Sequence, residues 1–453
     1  MSDRNIVYIV HCIDTEGPLY ESLDETFERI YSILGIRMKP SAETLRQIQR
    51  KEIDLGGKEE LAAEIFSEHL LAYNDSWSKV DSMLDEMMSE PYRKKFADSQ
   101  GNGWIYNWFC VDHVGYDDNP RRRDIGYHNV FDHYMKRGTE LSSLDDEMHF
   151  HFHPMSRYRE AHICATSYIH SPHFFEVLSR RVVDRGWFPS CFRAGFHVER
   201  PDSHWLLEQW IPYDFSNQAM REDKLESSQN DVANGRLGDW RRAPDDWSHY
   251  NPDHDDYQVP GRCRRSIFRC LNVGTRMRLL NKDEIERAFK RAQSGNPTIL
   301  AFTNHDFRDM RYDIKDVYDL LKQVSRNYKD VTWLHAGAKQ AAQKILGHDN
   351  GNTDFELNVT FSRIGSALKM DVESTYNTFG LQPYLAVKTH DRQYFNDNFD
   401  IHIPHRKWSY VFDYQTINPD SIALIGVASN SEDGRTCVHV YSPEGQIVKR
   451  MKY

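Results

Sequence analysis

The sequence predicts an α/β domain with a parallel sheet or barrel, followed by a small all-β domain. Three observations carry this expectation. Strand-like and helix-like stretches alternate up to about residue 346, the pattern of βα units. The strand candidates there are continuous apolar runs such as Ile6-Val-Tyr-Ile-Val10, which suit strands buried on both faces. After the turn-rich Gly347-His-Asp-Asn-Gly-Asn-Thr353, short strands separated by turns replace the alternation. A chain of 453 residues exceeds the size at which single cores stop growing. The expected domains are therefore 1–348 and 353–453.

In chain order, Ile6–Val10 leads into His11-Cys-Ile-Asp14-Thr-Glu16-Gly17-Pro18, where Gly-Pro ends the strand. Asp14 and Glu16, two apart, share one face at its C-terminal end. From about 20 to 100 the chain reads as an inserted helical region. Glu59–His69 and Trp77–Met88 carry apolar residues at three- and four-residue spacing. Trp104–Val111 is the next strand, followed by the polar loop Asn119-Pro-Arg-Arg-Arg-Asp124. That loop is either solvated or contacts an anionic group such as a nucleotide diphosphate, with Arg121 as the substrate contact. His128–Lys136 and His173–Arg185 read as helices, the second ended by Gly186. Trp187–Phe192 approaches Arg193-Ala-Gly195-Phe196, and Ile211–Phe215 is a short strand carrying Asp214. Residues 217–262 are polar with little periodicity, a lid or a disordered insertion. Asn281 opens a helix that Gly295-Asn-Pro297 closes. Thr298–Phe302 is a strand ending in Asn304-His305-Asp306-Phe307; a helix, a short strand and a last helix follow. In the C-terminal domain, Phe355–Phe361, Tyr384–Lys388, Ser409–Phe412, Ile422–Ala428 and Thr436–Tyr441 read as strands of a sandwich or similar fold.

Met148-His-Phe-His-Phe-His-Pro154 is the most informative stretch. Strict alternation puts His149, His151 and His153 on one side of a strand and the apolar residues on the other. Neighbouring imidazoles, roughly 6.6 Å apart along the strand, can lean onto one ion. His149 and His153 lie about 13 Å apart on a regular strand, so all three do not ligate one metal without a bend. Pro154 marks the strand end, which makes His151 and His153 the expected pair.

Composition narrows the function classes. Lys and Arg total 57 and Asp and Glu 68, a net charge of −11, which argues against a nucleic-acid footprint or an anionic membrane surface. No apolar run reaches the ~20 residues of a membrane span. The cysteines Cys12, Cys110, Cys164, Cys191, Cys263, Cys270 and Cys437 are odd in number and follow no zinc-knuckle or redox spacing. Free thiols in a reducing compartment fit them, and with no signal-peptide core at Ile6–Val10 a cytoplasmic, soluble protein is expected.

Asp14/Glu16, His151/His153, Arg193 and His305/Asp306 all fall at expected C-terminal strand ends, the edge where parallel α/β folds build their sites. Two histidines and a carboxylate leave a position for water on zinc. A second carboxylate can accept the water's proton and a histidine can protonate a leaving amine.

The order of these clusters resembles the polysaccharide deacetylase superfamily, the NodB-like domains of carbohydrate esterase family 4. The resemblance runs over residues 6–345 through sparse motifs. It implies a distorted (β/α) barrel of NodB-like type and one divalent metal, Zn first, with Fe, Co, Ni and Mn as alternatives. By that likeness Asp14 is the general base and Glu16 a metal ligand. His151-Phe-His153-Pro resembles the histidine motif, Phe192-Arg193-Ala-Gly195 the motif whose arginine holds the base, and Asn304-His305-Asp306-Phe307 the motif of the general acid. Asp214 corresponds to a further acidic position and is expected at the substrate. Thr15 separates the two acids, where the family commonly has adjacent aspartates, so the Asp14 and Glu16 roles are open to exchange. His149 and His153 also satisfy the family's H-x-x-x-H spacing, and Gly195 stands where proline is usual. These departures imply a divergent branch. The implied activity is removal of an N-acyl group, N-acetyl first, from an amino sugar, with a nucleotide- or lipid-linked precursor of surface polysaccharide as substrate class. Two alternatives compete: a non-catalytic glycan-binding protein with a degenerate barrel, and a non-haem Fe(II) oxygenase, whose facial triad uses the same donors. The oligomeric state is not legible.

Overall fold

The structure, a computed structural model, describes residues 5–141, 145–161, 167–221, 237–348 and 354–453. The turn signal at 349–353, Cys164 and the middle of the 217–262 insertion lie outside the described residues. Parallel strands β1 (Ile6–Thr15), β2 (Tyr106–Cys110), β3 (Glu147–Phe152), β4 (Cys191–Ala194), β5 (Tyr213–Asn217), β6 (Ser266–Asn272) and β7 (Thr298–His305) follow one another around a closed seven-strand barrel. Closure comes from β1, which pairs with β7 from Val7 to Asp14. On its other side β1 changes partner along its length. Ile6–Ile9 pair with β8 (Thr332–His335), and from His11 to Thr15 the partner is β2. The barrel is thus wedged open at the N-terminal end of its strands and closed at the C-terminal end.

His11 sits at this switch. Trp104 donates its indole N–H to His11 Nδ1 at 3.0 Å, so Nε2–H is the donor to Asn304 Oδ1 at 2.9 Å. Burial lowers this imidazole to about 3 and keeps it neutral.

The region between β1 and β2 is helical: α1 (Leu23–Leu34), α2 (Ala42–Gln49), α3 (Glu59–Ile65), α4 (Glu68–Leu71), α5 (Trp77–Met87) and α6 (Glu90–Lys95). Ser22, Ser41 and Ser89 cap α1, α2 and α6 by accepting backbone N–H bonds. Phe27, Ile30, Ile48, Ile65 and Phe66 form a separate core there, while Val80, Met83, Leu84 and Met87 of α5 join the barrel's main core.

β6 was not expected from the sequence. Arg269 interrupts its apolar run, yet is buried. It donates to Glu284 at 2.6 Å and lies 4.5 Å over the Trp247 ring, so its charge is paired, as burial requires. Residues 237–262 are neither lid nor coil without a core. Trp240, Ala243, Tyr250 and Tyr257 pack with Ala219 and Ile267 against β6.

After the barrel come two antiparallel sheets. β9 (Leu357–Ile364), β10 (Ala367–Ser374), β14 (Lys407–Phe412) and β13 (Asp400–Ile403) form one; β12 (Tyr394–Asp397), β11 (Tyr384–Thr389), β15 (Ile422–Asn430), β16 (Thr436–Tyr441) and β17 (Ile447–Lys452) form the other. Period-two alternation divides the second sheet's side chains. Leu385, Val387, Ile425, Val427 and Cys437 face the sandwich core. Tyr384, Ala386, Ala428, Val438 and Val440 join the barrel's core instead. The barrel side of this contact is α7 (His173–Arg180) and the π turn Arg181–Arg185. A Cβ on Gly426 would stand 2.6 Å from Val182, so close approach requires glycine there. Asp184 on the π turn accepts from Lys388 and Tyr394 at 2.8 and 2.7 Å. Among the described residues no helix is long and apolar enough to cross a membrane.

Candidate metal and acid–base site

β1 ends in Asp14 and Thr15, and Glu16 follows as the chain turns. Gly17 has φ +71°, and a Cβ there would press on Trp77, so the turn calls for glycine. Asp306 holds this turn from below, its two oxygens accepting the N–H groups of Glu16 and Gly17, both at 2.9 Å. Tyr134 adds a third bond at 2.7 Å. Burial pushes the Asp306 carboxyl up to about 7. Asp306 does not line the cleft, so its expected catalytic place is corrected: it is a positioning residue.

β3 delivers His151 on its last turn of pleat and His153 just beyond. His151 Nδ1–H donates to the Arg193 carbonyl at 3.0 Å, which leaves its Nε2 lone pair facing inward. His151 Nε2 and His153 Nε2 are 2.9 Å apart, and Glu16 Oε1 lies 3.8 and 3.4 Å from them. Glu16, His151 and His153 are all buried and together could hold a metal ion. Bonds of about 2.0–2.2 Å to one tetrahedral ion put donors about 3.3–3.6 Å apart, so this set fits with small adjustments, the largest an opening of the histidine pair. His149 does not join it. One step lower on β3, it pairs with Glu147 at 3.1 Å and lies against the Phe109 ring, tilted by 40° at 4.7 Å.

Arg193 leaves β4 fully buried and forks onto Asp14, Nε to Oδ1 at 2.7 Å and Nη2 to Oδ2 at 3.1 Å. Burial would raise the Asp14 carboxyl, but Arg193 and His151 outweigh it and hold it well below the usual carboxylate range. Glu16 follows the same logic: Arg123, with Nη2 at 2.6 Å from Oε2, outweighs burial and keeps it ionised. His305 Nε2 stands 3.8 Å from Asp14 Oδ2 and 3.9 Å from Glu16 Oε1. Its Nδ1 is buried without a hydrogen-bond partner. Burial lowers His305 to about 4, so the free site holds a neutral imidazole.

Gly195 follows from the position of His153. A Cβ there would meet His153 Cδ2 at 2.3 Å, which leaves no room for a proline. The next two residues, Phe196 and His197, are both left-handed at φ +52°, a strained turn of the kind found beside active sites. It is strapped down from the 237–262 segment: Trp240 donates to the His197 carbonyl at 2.9 Å and Gly238 to that of Phe196 at 3.2 Å.

A cleft of about 710 Å³ opens over these groups, lined by Asp14, Glu16, His151, His153 and His305 among others. Arg121 lines it too, tied to Glu21 at 3.2 Å. Asp214, expected at the substrate, is corrected: it is fully buried, accepts from Ser216 N and sits 3.5 Å from Arg265, away from the cleft. Four groups not singled out from sequence belong here. Arg123 holds Glu16, His113 donates to the Glu16 carbonyl at 2.9 Å, and Phe307 and Arg308 form the wall beside His305. The three consecutive arginines were the available signal, and only the fold picks out Arg123.

No family model matches the chain, and no curated protein matches it. Among solved structures, the chain has a likeness to the ZmpB metallopeptidase from Clostridium perfringens, at 10% identity and a TM-score of 0.12. That likeness covers 32% of this chain and 25% of that one, and at that score it carries no argument.

Proposed function

We propose that the barrel is a metal-dependent hydrolase that removes an N-acyl group, N-acetyl first, from an amino sugar, as the resemblance to NodB-like deacetylases implies. The observation that carries this reading is the convergence of three metal donors, an arginine-held carboxylate and an imidazole on one cleft. A divalent metal bound there supplies Lewis-acid activation of water and of an acyl carbonyl. Glu16, His151 and His153 would hold it.

Asp14, kept ionised by Arg193, is the group able to take a proton from water. His305 is neutral in the free site, so it acquires within the reaction the proton it gives to the leaving amine. Asp14 Oδ2, 3.8 Å from His305 Nε2, is close enough to pass that proton with a small shift or through one water. Phe196 and Phe307 add apolar surface to the cleft wall, where a sugar ring could rest. Arg121 and Arg308, also on the wall, favour a substrate with an anionic group, as a nucleotide-linked sugar has. The same donors serve Fe(II) oxygenases, but Asp14 held by Arg193, with His305 beside it, is acid–base equipment and favours hydrolysis.

The test is acetate release by the zinc- or cobalt-loaded protein from a nucleotide-linked N-acetylhexosamine and from N-acetylated oligosaccharides. Acetate and free amine in equal amounts are expected from at least one. A loaded protein that binds these sugars yet releases no acetate overturns the reading.

A further inference from the structure

We propose that Glu356, Cys437 and His439 form a second metal site, a buried zinc site with three protein donors, that joins the two sheets of the C-terminal sandwich. Glu356 lies just before β9 of the four-stranded sheet; Cys437 and His439 are two apart on β16 of the five-stranded sheet and so share a face. All three are buried, at 7%, 0% and 3% exposure, and their donor atoms converge. Cys437 Sγ is 3.5 Å from His439 Nε2 and 3.6 Å from Glu356 Oε1, and Nε2 to Oε1 is 2.8 Å.

A tetrahedral ion about 2.3 Å from sulfur and about 2.0–2.2 Å from nitrogen and oxygen sets edges of about 3.3–3.6 Å between its donors. Both sulfur distances already meet this, and the third needs a small opening. The pattern is not that of a catalytic thiol. In a nucleophile–base–acid relay the two partners use different ring nitrogens; here cysteine and glutamate both crowd Nε2. The other nitrogen, Nδ1, is taken by the Tyr441 hydroxyl at 2.9 Å, the kind of outer contact that orients a ligating imidazole.

Glu356 divides its oxygens. Oε2 pairs with Arg450 and Lys452, and Lys452 also reaches Asp354 at 2.8 Å, which leaves Oε1 to the interior. On binding, the Cys437 thiol releases its proton to solvent, so that a thiolate and the inner carboxylate oxygen face the dication, while Asp354 shares the charge of Lys452. A thiolate, an imidazole and a carboxylate select zinc over magnesium or calcium. None of the three residues lines the cleft of the barrel, which fits a fastening role. The proposal is independent of the barrel's chemistry.

The experiment is metal analysis of the full chain after loading with Zn²⁺ and desalting, repeated with Co²⁺ for its spectrum. Two equivalents are expected, one per cluster. Cys437→Ser and His439→Gln each lose one equivalent, and Glu16→Gln loses the other. Thiolate-to-Co(II) charge-transfer absorption is expected in the wild type and in Glu16→Gln but not in Cys437→Ser. Unchanged zinc content in both C-terminal variants overturns the proposal. Should either variant fail to fold, the wild-type cobalt spectrum decides, and absence of the thiolate band overturns it. A barrel without metal leaves one equivalent, lost on Cys437→Ser, so failure of the barrel reading is distinguishable.

Discussion

Glu16 and Glu356 are each buried with one oxygen turned to imidazole nitrogen and the other to a cation. Glu16 faces His151 and His153 with Oε1 and Arg123 with Oε2; Glu356 faces His439 and Cys437 with Oε1 and Arg450 and Lys452 with Oε2. The local parts are nearly the same, but the surroundings differ. Around Glu16 stand a second carboxylate with its own arginine, an imidazole with a spare nitrogen, and a cleft. Around Glu356 stand a tyrosine and the strands of a sandwich. A donor set can therefore fasten a fold or run a reaction; access and a separate proton acceptor decide which.

This contrast is testable most severely at Asp14. Asp14→Asn or His305→Ala is expected to lower deacylation by about 10²–10⁴-fold, the usual worth of a positioned acid or base. Zinc content should stay near wild type in both; Tm should hold in His305→Ala but fall in Asp14→Asn, which leaves Arg193 a buried charge without its carboxylate, and retained turnover in both variants removes the distinction between the clusters. A smaller effect is expected at Gly195→Ala. The added methyl collides with His153, and metal affinity should fall about 10–100-fold, as when a supporting contact of a ligand is lost; competition with a chelator measures it.

At the other cluster the readout is stability. Glu356→Gln is expected to cost about 1–3 kcal/mol in denaturant unfolding, for lost charged hydrogen bonds, with turnover unchanged. The smallest effect belongs to the joint between the domains. Burial would raise Asp184, but bonds from His128, Lys388 and Tyr394 outweigh it and hold its pKa below the usual range. A depressed carboxyl stabilises fully above its unfolded value, about 3.9, and the contribution fades as pH falls through the folded value. Asp184→Asn should therefore cost about 1–2 kcal/mol at neutral pH, and melting curves of variant and wild type should draw together below about pH 3.9.

The acids of β1 and the imidazoles of β3 could be read from the sequence because period-two spacing fixes which residues share a face. The choice between His149 and His151 needed the ring of strands: pairing His151 with Arg193 and His149 with Phe109 puts only the former at the mouth. β6 was hidden by Arg269, whose partner Glu284 belongs to another element. β10 was missed although Leu368, Met370 and Val372 alternate with Lys369, Asp371 and Glu373. Arg123 was illegible in kind. Three arginines in a row differ only in where a loop turns them, and the left-handed Arg122 between them sends its neighbours to different partners. Asp214 misled because a buried Asp–Arg pair and a substrate contact look alike in one dimension.

Asp306 directly follows His305 and grips the backbone of Glu16 and Gly17. The tips of β1 and β7 are thereby yoked, which fixes the spacing of His305 and Glu16. Such a jaw resists retuning of its chemistry, and diversification would fall on the rim built by the arginine loop and the helical insert. Under the proposed activity, substitutions that change substrate preference are expected at that rim and not at the tips of β1 and β7.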